Sequence, residues 1–152
     1  VGYGILHWKL RNDPRVVMME RTNARTIRGF PEPISLVTVD ASFISLRILL
    51  PVVKSWFSQG SGEVIALIKP QFEAGKTEVA RGEGVIRDPA IHKAVLRQIL
   101  EFALEEGYRV TGLIRSPLLG PKGNSEFLVH LQLPAGAQPA PEAFIEPLFS
   151  KG

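Results

Sequence analysis

Three ionisable residues stand where apolar runs begin or end, and they define the chemistry this chain could do. Leu36-Val37-Thr38-Val39 closes on Asp40, Val64-Ile65-Ala66-Leu67-Ile68 closes on Lys69, and Glu126 opens Phe127-Leu128-Val129. Each apolar run reads as a buried strand. In open α/β sheets ligands bind beyond the carboxyl ends of the strands, so an acid and a base there have position as well as chemistry. If the Glu126 strand runs antiparallel to the other two, its start lies at the same edge as their ends, and the three groups converge. A lysine flanked by carboxylates and partly desolvated can accept or orient the proton of a weakly acidic hydroxyl. Each residue also has an ordinary structural reading: Asp40 as the cap of the next helix, Lys69 as a solvated loop cation.

The elements that must position this trio follow from the flanking sequence. Ser42 or Ser45 can cap a helix whose apolar side carries Leu46, Leu49, Leu50 and Val53, with Pro51 forcing a kink or a later start. Asp88-Pro89 is a helix start, Ile91, Val95, Ile99 and Phe102 recur at helical spacing, and Gly107 ends the run. Tyr108–Ser116 and Glu126–Leu133 read as two strands joined without a helix, hence an antiparallel hairpin. Ile5–Arg11 predicts two helical turns, Val16–Met19 a short buried strand, and residues 70–87 a long charged, glycine-rich loop of functional character. Residues 134–152 carry four prolines and read as a tail or strap. The alternation predicts a mostly parallel α/β sheet with helices on both faces.

Composition narrows the classes. At 152 residues, with 45% hydrophobic and 22% charged residues, the chain is one globular domain. No cysteine is present, which excludes disulfides and thiol catalysis. His7, His92 and His130 are far apart and match no metal motif. There is no apolar run of about 18 residues and no signal-peptide pattern, so the expected compartment is the cytoplasm. A net charge of +3 tolerates an RNA partner without requiring one.

The motifs, taken in order, resemble a known family. Asp40-Ala41-Ser42-Phe43-Ile44-Ser45, then Ile68-Lys69-Pro70-Gln71-Phe72-Glu73, then Arg87-Asp88-Pro89, then Gly120-Pro121-Lys122-Gly123-Asn124-Ser125-Glu126-Phe127 resemble the TlyA-type (hemolysin A) ribosomal RNA 2′-O-methyltransferases. Val1-Gly2-Tyr3-Gly4 and Met19–Arg25 share the likeness, which runs from residue 1 to about 133. It implies a partial FtsJ-like, Rossmann-like domain over 1–133 that uses S-adenosylmethionine, with 134–152 as a tail. The family's Lys-Asp-Lys-Glu set maps Asp40, Lys69 and Glu126 onto its last three members, Lys69 as the base. Gly2, Glu20, Asn23, Asp40 and Ser42 are the implied cofactor-binding residues, Glu20 and Asn23 beside the adenosine.

The resemblance places the family's first lysine, glycine-rich loop, first strand and S4-like RNA-binding domain before Val1. A truncated fragment is therefore expected, with one edge of the Asp40 strand unpaired. Arg21, Arg25, Lys76, Arg81 and Lys122 are the expected contacts to ribosomal RNA or ribosomal subunits, with no metal and no membrane partner. Two rivals stand beside this reading. A phosphate-receiving receiver domain has a strand-end acid and a Lys-Pro, but separates them by a further strand. The second is a non-catalytic RNA-binding or membrane-active, hemolysin-like protein; pore formation needs an amphipathic or spanning segment, and none stands out.

Overall fold

The computed structural model describes residues 4–150, except the side chain of Lys76. Its centre is a four-stranded sheet in the order β1 (Leu36–Val39), β2 (Gly62–Ile68), β4 (Phe127–Leu133), β3 (Arg109–Arg115). β1 pairs with β2 in parallel, and β4 runs antiparallel to both β2 and β3. Three of the four strands thus point one way, the mostly parallel sheet with a closing hairpin that the pattern predicts. β1 lies at the edge of the described sheet, so one side of its backbone is unpaired there.

Strict alternation decides which face carries the core. On β2, Val64, Ala66 and Ile68 are fully buried, while Ile65 between them is 38% exposed. Phe127, Val129 and Leu131 on β4 and Val110 and Leu113 on β3 join the same buried face. Against it pack α2 (Leu46–Lys54) through Leu46, Leu50 and Val53 and α5 (Pro89–Glu105) through Val95, Leu96, Ile99, Leu100 and Ala103. The helices therefore cover one face, not two as the alternation predicts. On the reverse face Leu36 and Ile114 are exposed, and His130 donates or accepts across the strands with Glu63 and Thr111.

The local signals for both long helices hold. The Ser45 hydroxyl accepts from the Arg47 N–H at 3.1 Å and starts α2, and Pro51 sits inside that helix. The hydrogen bond that proline forfeits is offset by burial of Leu50 and Val53 on either side of it. The Asp88 carboxylate caps α5 through the Ala90 N–H at 2.8 Å. Gly107 closes α5 at φ +86°, a left-handed conformation that a side chain would strain.

Three expectations are revised. Val16–Met19 forms no strand and is exposed, because no strand of the described sheet lies alongside to pair its backbone. The helix predicted over Ile5–Arg11 is a single turn, α1 (Trp8–Arg11). Residues 70–87 are not one loop: they contain α3 (Pro70–Glu73) and α4 (Lys76–Arg81), each too short to leave a periodic trace.

Residues after β4 fold back as a strap. Within it α6 (Pro141–Ile145) inserts a fully buried Ile145 into the core. Glu142 takes Arg97 at 2.7 Å and Glu146 takes Lys93 at 2.7 Å, pinning the strap to α5. Those exposed pairs are worth little, so the apolar anchor carries the docking. Ile145→Ala is expected to destabilise the fold by about 2–4 kcal/mol, measured by urea titration, whereas Glu142→Ala should shift it by less than about 1 kcal/mol.

Candidate active site

Strand register alone brings the first two groups together. Val39 lies beside Ala66, so one step further along the strands Asp40 flanks Leu67. Lys69, two residues beyond Leu67, leaves β2 on the same side of the strand. The Lys69 Nζ reaches Asp40 Oδ1 at 2.6 Å and donates to Ser42 Oγ at 3.2 Å. The lysine side chain is only 10% exposed and the aspartate side chain 74%. A buried amine thus faces an open carboxylate. Such a half-solvated pair contributes about 1 kcal/mol or less to stability, so its use is to fix where the amine sits.

Glu126 arrives from the opposite direction. Ile68 pairs with Phe127 in the antiparallel register, which makes Glu126 the cross-strand neighbour of Lys69. It is buried. Its carboxylate accepts the Gln71 amide Nε2–H at 2.8 Å, while the ion-pair partner of Lys69 is Asp40. The expected convergence holds at the level of strands, but the side-chain partners are Asp40–Lys69 and Glu126–Gln71. Gly120 makes room for Glu126: a Cβ there would collide with the carboxylate.

The loops between these strands are tied by buried polar groups that the sequence motifs contain but did not announce. Glu73 Oε2 accepts from the Ser45 hydroxyl at 2.6 Å and Oε1 from the Leu46 N–H at 2.7 Å. Burial pushes the Glu73 carboxyl above its ordinary range, against the pull of those two hydrogen bonds. The end of the Lys69 loop is thereby fastened to the N-terminus of α2, and residues 41–44 arch between. At the top of that arch Phe43 has φ +62°, is 88% exposed and lies 4.7 Å from the Phe72 ring. Asn124 accepts from the Ile86 N–H at 3.0 Å and donates to Gly84 and Pro121 carbonyls, locking the 84–86 loop to the one before Glu126. Gln71, Glu73 and Asn124 share one sequence signal: polar residues embedded in otherwise apolar or glycine-rich runs.

Comparison with known proteins identifies the family. The FtsJ-like methyltransferase family matches residues 1–133. The chain belongs to that family. It is 47% identical over 148 residues to a candidate rRNA methyltransferase of Bacillus subtilis, YqxC, covering 93% of this chain and 51% of that protein. It is 45% identical over 134 residues to the 16S/23S rRNA (cytidine-2′-O)-methyltransferase TlyA of Mycobacterium tuberculosis, covering 87% and 49%. A solved structure of a candidate hemolysin from Streptococcus thermophilus superposes with TM-score 0.87 at 40% identity, covering 95% of this chain and 53% of that one. The chain spans about half the length of these relatives.

The other residues that the FtsJ-like resemblance implicates fall into separate groups. Gly2 lies outside the described residues. Glu20 accepts from the Gly4 N–H at 2.8 Å and pairs with Arg11, and Asn23 Oδ1 caps the Arg25 N–H at 3.1 Å. Their hydrogen bonds stay within the N-terminal segment and do not reach Asp40 or Lys69. Arg21, Arg25, Arg81 and Lys122 are exposed, Lys122 donating to the Glu83 carbonyl at 2.9 Å. Lys76 starts α4. Among the described residues no group of three or more potential metal ligands occurs, and no helix is long and apolar enough to cross a membrane.

Glu73 yields a test with a defined sign. A carboxyl whose folded pKa exceeds its unfolded value loses stabilising effect as pH rises from about 4.5 through the folded value. Glu73→Gln keeps an acceptor for Leu46 and a donor for Ser45, so its stability relative to the native chain should improve as pH climbs through that interval. Glu73→Ala should cost about 1–3 kcal/mol at neutral pH. Thermal melts from pH 4 to 8 check both; a Glu73→Gln difference that is flat across that range would contradict the account.

Proposed function

We propose that this domain, in the full-length protein, catalyses S-adenosylmethionine-dependent methylation of a ribose 2′-hydroxyl in ribosomal RNA. The carrying observation is the desolvated Lys69 amine held 2.6 Å from Asp40 at the carboxyl ends of β1 and β2. That is where an α/β sheet presents its ligands. Family membership and the rRNA methyltransferase names of its relatives support the same reaction.

The residues present fit the cofactor. The Asp40 carboxylate spends one oxygen on Lys69 and is otherwise open, leaving acceptor capacity for N–H or O–H donors, and Ser42 beside it is exposed. Asp40 and Ser42, with Gly2, Glu20 and Asn23 from the N-terminal segment, are the residues that would hold it. When bound, S-adenosylmethionine supplies an electrophilic methyl group on its sulfonium. The remaining chemistry belongs to this chain. A ribose hydroxyl is too weak an acid to attack unaided, so its proton must pass to a positioned base. Lys69 takes that role, and Asp40, 2.6 Å from its amine, stabilises the ammonium once the proton has arrived. Glu126, across the strand from Lys69, orients the amine and the hydroxyl from the other side.

We assign phosphate contacts to the exposed Arg21, Arg25, Arg81 and Lys122 and to Lys76, and base stacking to the exposed ring of Phe43. One relative, from Brachyspira hyodysenteriae, is named hemolysin A, and a red-cell lysis assay separates that activity from methyl transfer.

Lys69→Ala in the full-length protein should lower methyl incorporation from labelled S-adenosylmethionine into ribosomal subunits by roughly 10²–10⁴-fold, with RNA retention unchanged. A Lys69→Ala enzyme at the native rate would defeat the proposal. Replacing Arg25 and Arg81 together should weaken RNA binding at all sequences and flatten the salt dependence by roughly one unit of slope per residue. Salt-insensitive retention would remove these residues from the RNA surface.

A further inference from the structure

Gln71 is buried in α3, and its amide makes one good hydrogen bond and lacks another. Its Nε2 donates to Glu126 Oε1 at 2.8 Å, while its Oε1 is buried with no hydrogen-bond partner among the described residues. The orientation is dictated by charge. A carboxylate oxygen accepts, so the amide turns its NH2 towards Glu126 and its oxygen away. A buried amide satisfied on one side alone is a costly way to partner a carboxylate, because its own carbonyl is left stranded. Half-satisfied polar groups that persist in a core call for another explanation, and catalytic roles are among the few on offer. The Glu126 carboxylate has its sole side-chain hydrogen bond among the described residues with Gln71, and it lies directly against Gly120, where a Cβ would collide with it.

We propose that Gln71 is a positioning residue for methyl transfer, which holds the Glu126 carboxylate at the cross-strand position facing the Lys69 amine. The proposal rests on the reading of Glu126 as part of the proton-handling set. Without the amide, no side-chain hydrogen bond among the described residues holds the Glu126 carboxylate in place, and the hydroxyl and amine lose their partner on that side. Gln71 touches neither substrate nor cofactor in this role; it acts through Glu126.

A double-mutant cycle in the full-length protein tests this. Gln71→Met, close in shape and without polar groups, removes the amide from the buried Glu126 carboxylate, so it is expected to lower the melting temperature on the native background and not on a Glu126→Ala background. It should lower kcat by roughly tenfold to a hundredfold, with KM for ribosomal RNA nearly unchanged. On a Glu126→Ala background the same substitution should alter kcat by no more than about twofold. Gln71→Leu should reproduce the pattern. An equal fold-loss of kcat in both backgrounds, or a melting temperature lowered equally in both, assigns Gln71 to the fold and overturns the proposal. If Glu126→Ala alone leaves kcat at the native value, the catalytic reading of Glu126 fails first, an outcome distinct from failure of Gln71.

Discussion

The parallel register of β1 on β2 governs the rim of this sheet. With Val39 set beside Ala66, Asp40 and Lys69 leave their strands on one side and within reach of one ion pair. A slip of one residue would turn every β1 side chain to the opposite face and send Asp40 away from the amine. Register on β1 is held chiefly by Val37 and Val39, which pack on the core from a strand only four residues long. The antiparallel register of β4 on β2 does the equivalent service for Glu126, and there the pairing extends over seven residues. The site is therefore firmly set on its Glu126 side, while on its Asp40 side it depends on an edge strand.

Buried polar ties compensate for that asymmetry. Glu73 fastens the Lys69 loop to the start of α2, which fixes both ends of the arch that follows Asp40. Asn124 performs the same task between the 84–86 loop and the approach to Glu126. In each case a side chain satisfies backbone groups that a loop would otherwise present to water, so the loops need no regular structure to hold one shape. Burial raises the Glu73 carboxyl while its two donors restrain it, which is the expected balance for a group used as a clamp instead of an acid catalyst.

What the sequence made legible follows from the range of the forces involved. Strand-end residues, helix caps and the helix periodicities of α2 and α5 are local, and Ser45, Asp88 and Gly107 act where their residue types predict. Asp40, Lys69 and Glu126 were legible because apolar runs point at them. Gln71 and Glu73 stood in plain view beside Lys69, yet their partners are 55 and 28 residues away, and no periodicity reports a contact at that range. Val16–Met19 misled for the converse reason: its composition suits a strand, but a strand also requires a neighbour. Ile145 was masked by prolines that signal irregular chain and say nothing of whether that chain docks.

The division of burial along the chain separates the two halves of the proposed chemistry. None of residues 4–35 is fully buried, and that segment is tied to the body by Trp56, whose Nε1 donates to the Ile27 carbonyl at 3.1 Å and whose ring meets Phe30 edge-on, by Ile34 against the core and by the Glu63 N–H on the Ser35 carbonyl at 2.9 Å. Lys69 and Glu126 instead sit at the ends of strands whose inward neighbours, Ala66, Ile68 and Phe127, are wholly enclosed. Segments with few buried apolar contacts open at lower free energy than core strands. Lys69 and Glu126 are thus held by the global stability of the domain, whereas Glu20 and Asn23 are held by a handful of local hydrogen bonds. An amine that must meet a hydroxyl within a fraction of an ångström belongs on the first kind of support; residues that border a ligand able to order them on binding can be carried by the second.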